Sequence, residues 1–410
     1  MINKNGLVDK WDKRISFYVV FYFFAEVANA TIKTVLPIPD SLWGLISLLF
    51  GLLIVFFMLR CIREVWRRSS KIGNFSLLLF SVIYIYSFLL IFLRDELTPG
   101  FWRDTVFLTY AYWIPIGVAV ISIRDKKILY DTFLKWSYLI SILLFLCVFF
   151  RRTTDLMEGE TEYNMFFGFH LVPFALFHIT DFYKSKKILI LVFFLFEVLL
   201  LIIYANRGAL IPLIFYFVFR ILLKQTSFQK RIANVLLIAV FSILLVVLSK
   251  PIISGLANIS DVMGIKSRNL TMVAYGEATN SSGRDELADI SLDMIKERPV
   301  LGWGLGGEFC EIARRMGFVK SKDSISSAFS PHNGILELLV CLGVLWGTIA
   351  IIIFVIPLFN LGRIKDPYEA LLILIFGAAV VIPCFISADG LLIKPGAAIY
   401  AYLYYARKLK

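Results

Sequence analysis

The chain has 410 residues, of which 59% are hydrophobic and 18% are charged, and its mean hydropathy is +0.79. Soluble domains are about 45–50% apolar and about 25% charged. The excess of apolar residues excludes a soluble enzyme, a disordered chain and a nucleic-acid-binding module. The composition therefore predicts an all-α polytopic membrane protein.

Twelve apolar stretches follow one another along the chain, each close to the roughly 20 residues that a helix needs to cross a bilayer. The first nine lie within residues 1–249 and the last three within residues 332–410. Residues 250–331 form a loop of mixed polarity, the one predicted extramembrane segment that is large enough to fold. The predicted spans are 15–35, 41–59, 75–93, 105–123, 133–150, 165–182, 188–204, 208–223, 232–248, 334–359, 368–387 and 391–405.

Lysine and arginine are distributed unevenly between the connections that join these spans. If the N-terminus lies in the cytoplasm, the termini and inner connections carry 24 basic residues and the short outer connections carry 7. Cytoplasmic connections of membrane proteins are enriched in Lys and Arg, so both termini are predicted to be cytoplasmic. Orientation then explains the net charge of +12, and no nucleic-acid partner is predicted.

The large loop contains one predicted helix. Leu287, Ile290 and Met294 recur at helical spacing. Ser282 is placed to cap the start of this helix, and Pro299 ends it. An apolar stripe beside a bilayer indicates a helix that lies flat at the membrane interface.

A glycine-rich run, Gly302-Trp-Gly-Leu-Gly-Gly307, follows this helix. It is not a phosphate-binding loop, because no Gly-Lys-Ser/Thr ends it, and no strand–helix unit surrounds it as in a dinucleotide site. We expect a tight turn that returns the chain to the membrane, with Trp303 as an interfacial anchor.

His332 is the only histidine outside the predicted spans, and it lies at the outer end of the tenth. A histidine at this place is either structural or a general base. Asn333 or Ser330 is placed to cap the helix that begins here. Glu337, one helical turn further on, is a candidate for polarising a site at this end of the span.

Polar residues in or beside the spans are further candidates. Arg207, in the tight turn after the seventh span, either snorkels to the interface or binds phosphate, because its planar fork of donors suits phosphate oxygens. His170, in the sixth span, either lines a substrate cavity or makes an interhelix hydrogen bond. Glu26 and Glu197 lie within spans, where charged groups are rare and either functional or paired. The five cysteines are scattered, so no zinc site is predicted.

Four segments make the sequence similar to the O-antigen polymerase and ligase superfamily of bacterial membrane transferases. They are Asn206-Arg-Gly-Ala-Leu, Ser282-Gly-Arg, Glu297-Arg-Pro-Val-Leu-Gly-Trp-Gly and Pro331-His-Asn-Gly-Ile-Leu-Glu-Leu-Leu, the last followed by Gly343. Their order and spacing, between Tyr204 and Thr348, carry the resemblance. The family often has Gly, Thr or Tyr three residues after the distal glycine, where this chain has Trp346.

The resemblance implies a fold similar to the GT-C type of multi-spanning glycosyltransferase, with one large periplasmic loop. It implies transfer of a glycan from undecaprenyl diphosphate to an acceptor hydroxyl. No metal or other cofactor is expected, because the first outer loop, residues 31–40, holds Asp40 alone instead of paired acids. Arg207 and Arg284 correspond to family arginines that stabilise the diphosphate leaving group, and His332 corresponds to a histidine placed to accept the hydroxyl proton. The residues expected to bind substrate are Arg207, Arg284, His170, Asn333 and Glu337.

The sequence leaves the acceptor open. The aromatic content, 38 Phe, 18 Tyr and 8 Trp, suits a long glycan-binding groove and favours a polymerase that joins repeat units on the lipid carrier. The near alternative is a ligase that transfers the finished glycan to lipid A core. A flippase or other transporter without catalysis would show repeated halves, and none is visible. A cell-wall polymerase would use Asp285 or Asp289 as its base.

The transferase hypotheses share one location and one set of partners. We expect the chain in the bacterial inner membrane, with its active site on the periplasmic side. Its expected partners are the undecaprenyl-diphosphate-linked glycan, an acceptor glycan lipid or lipid A core, membrane lipids and a chain-length regulator.

Overall fold

The computed structural model describes residues 4–36, 39–93, 105–150, 165–204, 209–224, 284–318, 329–386 and 394–406. Within these ranges the chain is helical and forms no strand. Its helices are α1 (Lys4–Val35), α2 (Trp43–Phe92), α3 (Thr105–Ser122), α4 (Lys126–Phe149), α5 (Met165–Ser185), α6 (Ile188–Tyr204), α7 (Ile211–Lys224), α8 (Arg284–Glu297), α9 (Gly307–Arg315), α10 (Gly334–Phe359), α11 (Pro367–Ile386) and α12 (Pro395–Tyr405).

Six of these helices are long and apolar enough to cross a membrane, and α6 and α7 are shorter apolar helices. The predicted all-α polytopic membrane protein is therefore confirmed. The predicted span 232–248 lies outside the described residues, and the total of twelve spans stays a prediction.

Helix α2 covers two of the predicted spans, 41–59 and 75–93, without a connecting loop. Its 50 residues would measure about 75 Å if straight, more than twice the roughly 30 Å of a bilayer core. The helix is broken at Ser69, whose φ of −141° is not helical. The basic residues between the two predicted spans thus lie on helical turns.

The chain divides into two compact units. Unit 1 comprises Met1–Arg63, Ile123–Asn280 and Asp366–Ala379. Its centre is aromatic: the Phe133 ring stacks on Phe177 at 5.4 Å and meets Phe376 edge-on at 5.2 Å. Phe23 of α1 contacts the same cluster through the Phe133 ring at 5.6 Å. Large rings from α1, α4, α5 and α11 therefore form the core of this unit.

Unit 2 comprises Glu64–Ser122, Ser281–Lys365 and Val380–Lys410. Helices α3 and α12 pack closely because Gly117 lacks a side chain: a Cβ there would lie 2.4 Å from the Tyr402 ring. Helices α8 and α9 pack on α10 through a cluster of Leu287, Met294, Trp303, Ile312 and Val340. Unit 2 contains both His332 and Arg284.

Candidate functional site

Two of the predicted site residues lie at the start of α10: Asn333 directly before the helix and Glu337 in its first turn. The Asn333 side-chain oxygen accepts hydrogen bonds from the backbone N–H groups of Ile335 and Leu336, at 3.0 and 3.2 Å. This confirms that Asn333 caps the helix, as short polar side chains do. Glu337, in the first turn, is half-buried. The substrate-binding roles of Asn333 and Glu337 stay predictions.

His332 has an unusual backbone conformation directly before this cap. Its φ is +48°, and only one other non-glycine residue in the described ranges, Lys186, has a positive φ. The left-handed region costs a non-glycine residue roughly 1–2 kcal/mol. Such strain concentrates at functional sites, where the surroundings hold a side chain in one place.

The buried Ser330 hydroxyl lies beside the His332 ring. Its oxygen is 3.3 Å from His332 Nδ1 and 3.4 Å from the backbone N–H of the same residue. A hydroxyl oxygen can accept two hydrogen bonds, so Ser330 is suited to hold the tautomer in which Nδ1 carries the proton. That tautomer makes Nε2 the basic nitrogen.

Arg284 is the first residue of α8, and its side chain is exposed. The predicted capping residue, Ser282, lies outside the described residues. A cation at a helix N-terminus faces the positive end of the helix dipole, which is unfavourable unless an anion is near. Asp285 and Glu286 occupy the same turn.

The apolar stripe of α8 packs on protein, so the predicted contact of this stripe with the membrane interface is wrong. Leu287 and Met294 are buried against Val340 of α10, and Ile290 is partly buried there. The opposite face is solvated: Asp293 pairs with Lys296 at 2.8 Å, and this hydrogen bond holds the pKa of the exposed Asp293 carboxyl below its usual value.

Trp303 is also buried, at 3% exposure, so it is not the interfacial anchor that we predicted. Its indole N–H donates a 3.0 Å hydrogen bond to the Met294 carbonyl. The Arg298 guanidinium lies over its ring, 4.0 Å from the centroid, in a cation–π contact. The family-like segment from Glu297 to Gly304 thus contributes a packed tryptophan.

The glycine-rich turn and a break in α10 form a backbone interlock, defined by residues 299–304 and 340–344. Trp303 N–H donates to the Val340 carbonyl at 2.8 Å, and Gly304 N–H donates to the Cys341 carbonyl at 2.9 Å. In return, Val344 N–H donates to the Pro299 carbonyl at 2.7 Å. The carbonyls exposed by the break are therefore satisfied by the turn.

The break at Gly343 reverses the direction of α10. Gly343 has φ +75° and ψ 172°, and a Cβ on Gly347 would lie 2.6 Å from the carbonyl oxygen of Leu338. In a straight helix those residues, nine apart, would be about 13.5 Å distant. The predicted span 334–359 therefore has the bounds of α10, and the bend at Gly343 divides it into a short segment that folds back against a longer one.

An acidic group that we did not predict lies beside this bend. Glu308, in the first turn of α9, is only 1% exposed. Its carboxyl lies beside the Cys341 thiol, and Glu337 is close enough to act electrostatically on the same thiol. In the sequence, Glu308 is a single acid after a glycine-rich turn, which is a weak signal. Only the packing of α9 on α10 brings it next to Cys341.

The remaining predicted residues belong to unit 1. His170 Nε2 lies 3.1 Å from Glu26 Oε1, and both side chains are partly exposed. Two intramembrane polar residues thus pair across helices, while the substrate-binding role of His170 stays a prediction. Arg207 lies outside the described residues, so its predicted approach to Arg284 and His332 also stays a prediction.

Two buried groups of α5 and α6 form the second intramembrane pair of unit 1. His178 Nδ1 lies 2.9 Å from Glu197 Oε2, and neither side chain is exposed. Ser137 and Ser141 of α4 contact this pair at 2.8 and 2.7 Å. Glu197 is therefore paired, one of the two alternatives that the sequence left open.

These features define a multi-pass helical membrane protein. Helix α8, which begins with Arg284, and helix α10, which follows His332, pack on each other within unit 2. No group of three or more His, Cys, Asp or Glu side chains within the described ranges is arranged to hold a metal ion. Residues 189–352, which are 164 of the chain's 410 residues, match the family described as O-antigen ligase. No curated protein matches the chain.

The chain therefore carries an O-antigen ligase family domain and is a membrane glycan transferase. The matched residues run from α6 into the second part of α10, so they include Arg207, Arg284, His332 and Glu337. His170 lies before them. This match confirms the resemblance to the polymerase and ligase superfamily and favours a transferase over the transporter alternative.

Proposed function

We propose that this protein transfers a glycan from undecaprenyl diphosphate to an acceptor hydroxyl, with His332 and Arg284 in its active site. One observation carries the proposal: both residues stand at the N-terminal ends of helices that pack on each other within the O-antigen ligase family domain. The C-terminal end of α8 and the bend of α10 are joined by the interlock, which fixes the two helices relative to each other.

The charge of the diphosphate leaving group explains why the proposed site contains arginines. As the bond between the anomeric carbon and the diphosphate breaks, negative charge grows on the phosphate oxygens. Fixed cations at that place stabilise the transition state more than the ground state. Arg284 supplies such a cation at a helix N-terminus, where the helix dipole adds to its effect. Arg207 supplies the second cation.

The acceptor hydroxyl must lose a proton, which explains the proposed role of His332. The acceptor oxygen attacks the anomeric carbon as the diphosphate leaves, and its proton passes to His332 Nε2. General-base catalysis of this kind contributes about 10²–10⁴-fold. Ser330 beside Nδ1 and the cap at Asn333 support this tautomer and orientation. Attack from the side opposite the diphosphate inverts the anomeric centre, and no metal takes part.

The principal acceptor that we propose is another lipid-linked repeat unit, so that the protein is a surface polysaccharide polymerase. The description of the matched family favours a second candidate, a ligase whose acceptor is lipid A core. In both cases we propose that the chain lies in the bacterial inner membrane with its site on the periplasmic face. His170 and Glu337 are proposed to contact the glycan.

The proposal is tested with purified protein and synthetic lipid-linked repeats, with and without lipid A core. We expect His332→Ala and Arg284→Ala each to abolish transfer, whereas Lys296→Ala, an exposed cation at the far end of α8, keeps it. A glycan ladder formed without core identifies a polymerase, and a core adduct identifies a ligase. A chelator should leave the rate unchanged. Normal transfer by both variants would refute the assigned roles.

A further inference from the structure

A cavity of about 320 Å³ lies between α1 and the first half of α2 in unit 1. It is far in sequence from the proposed site and contains none of its residues. Its walls combine basic side chains with aromatic rings and one buried thiol. The lining residues are Lys13, Arg14, Phe17, Phe57, Arg60 and Cys61.

Three cations face this cavity, and none of the lining residues is acidic. Two acids that neighbour the lining residues in sequence have contacts outside the lining. The Asp12 carboxylate accepts the backbone N–H groups of Arg124 and Asp125, at 3.1 and 3.0 Å. Glu64 binds Arg67 and Arg68. The guanidinium groups of Arg14 and Arg60 line one cavity and repel each other, so this arrangement is stabilised when an anion occupies the cavity.

The inner wall of the cavity is apolar. The rings of Phe17 and Phe57 pack edge-to-face at 5.0 Å, and Phe57 also meets Phe21 at 4.8 Å. Both arginines of the lining also contact aromatic rings: the guanidinium of Arg60 lies 5.0 Å from the Phe56 ring and that of Arg14 lies 5.1 Å from the Trp11 ring. These cation–π contacts restrict the orientation of both guanidinium groups.

An exposed apolar strip leads away from the cavity along α2. Leu48, Leu52 and Phe56 precede Arg60 at intervals of four residues, so they share its helical face. Their side chains are 57%, 55% and 49% exposed. In a membrane protein such a strip faces acyl chains. The anion that fits here thus has a hydrophobic part that lies next to its charged group.

We infer that the cavity binds the phosphate group of an anionic phospholipid, with the acyl chains along the exposed face of α2. Basic pockets between membrane helices recognise phospholipid headgroups in this way. The cavity lies at the basic end of both helices, the end expected at the cytoplasmic leaflet. A soluble phosphate would pair with the guanidinium groups of Arg14 and Arg60 but would make no contact with the apolar strip.

The wild-type protein provides the first test. Purified in a non-ionic detergent, it is titrated with phosphatidylglycerol, with phosphatidylcholine of matched chain length and with inorganic phosphate. Native mass spectrometry counts bound lipids, and thermal unfolding reports stabilisation. We expect retained adducts and a raised melting temperature with phosphatidylglycerol only. Equal binding of phosphatidylcholine, or an equal shift with inorganic phosphate alone, would overturn the inference.

Variants assign the binding to this cavity. The double variant Arg14→Gln/Arg60→Gln should bind phosphatidylglycerol about tenfold more weakly or worse, because each basic residue near a membrane surface contributes about a fivefold preference for anionic lipid. Arg63→Gln, an exposed arginine three residues from Arg60 and outside the lining, is the matched control and should bind normally. Unchanged affinity in the double variant contradicts the inference.

A third measurement does not depend on how the variants fold. A photo-activatable phosphatidylglycerol is cross-linked to the wild-type chain, and the labelled peptides are identified. We expect label on the segments around Phe17 and Phe57. Label that is confined to other helices would refute the site.

Discussion

Val344 N–H donates a 2.7 Å hydrogen bond to the carbonyl oxygen of Pro299, across 45 residues of sequence. This bond closes the interlock between the glycine-rich turn and the bend of α10. It explains why Gly302 and Gly343 stand at their positions: a Cβ on either would lie within 2.5 Å of the opposite backbone. The family-like glycines therefore hold two backbones together.

Gly343→Ala is predicted to destabilise the protein strongly. Its φ of +75° disfavours any side chain, and the new Cβ would lie 2.4 Å from the Val300 carbonyl oxygen. The positive φ alone costs a non-glycine residue roughly 1–2 kcal/mol, and the clash of the Cβ with the Val300 carbonyl adds to this cost. Fluorescence-detected size exclusion after heating measures the effect.

Two control substitutions separate strain from clash at this position. Gly317→Ala has a comparable φ of +76° but open space around it, so it should cost less than Gly343→Ala. Gly44 lies in a helix, and no atom lies within 4 Å of the position that a Cβ would occupy, so Gly44→Ala should be tolerated. A Gly343→Ala protein as stable as Gly44→Ala would show that the interlock does not need close contact.

His332→Gly is predicted to keep or raise thermal stability while it abolishes transfer. Glycine accepts a positive φ without cost, so the substitution relieves roughly 1–2 kcal/mol of strain. It also removes the imidazole. Melting temperature and glycan transfer are measured on the same preparation.

Lys186→Gly is the matched control for His332→Gly, because Lys186 also has a positive φ, +59°. It should gain similar stability and keep full transfer. If His332→Gly kept its transfer activity, the imidazole would not be the base. If it were strongly destabilised, the side chain would have a structural role that outweighs the backbone strain.

The buried pair of His178 and Glu197 is predicted to be energetically coupled. Glu197→Leu leaves the histidine without its acid in a fully buried place, and breaking such a pair costs about 3–5 kcal/mol. The double variant His178→Leu/Glu197→Leu removes both polar groups and should be destabilised by much less than the sum of the two single variants. Unfolding midpoints in a double-mutant cycle test this. Additive costs would contradict the coupling.

Glu64 is predicted to make stability depend on acid pH. It lies between the predicted spans 41–59 and 75–93, where a hydrogen bond from Arg67 lowers the pKa of its carboxyl from 4.5 to about 2. A carboxyl whose folded pKa is depressed stabilises the fold above its unfolded pKa, and this contribution is lost as pH falls from 4.5 towards 2.

Glu64→Gln keeps the shape of the side chain and removes its charge. Wild type should be the more stable protein at pH 7, and the difference should narrow between pH 4.5 and pH 2. Melting temperatures of both proteins across this range provide the measurement. A difference that is constant with pH would show that the ion pair contributes nothing to stability.

Sequence predicted the features that depend on neighbouring residues. The seventh predicted span, 188–204, coincides with α6 (Ile188–Tyr204), because a continuous apolar run specifies a membrane helix by itself. Asn333 or Ser330 was predicted to cap α10, and Asn333 does so, since a cap involves only the next three residues. The similarity to the O-antigen polymerase and ligase superfamily also followed from short, ordered segments.

Only the tertiary structure decided the features that join distant residues. The reversal at Gly343 was hidden within an apolar run, because its carbonyls are satisfied by residues 299–304 from another part of the chain. Trp303 was predicted at the interface but is buried, since α8 and α10 cover it. Hydropathy determines which segments enter the membrane, whereas packing between segments determines which polar groups meet there, as Glu308 meets Cys341.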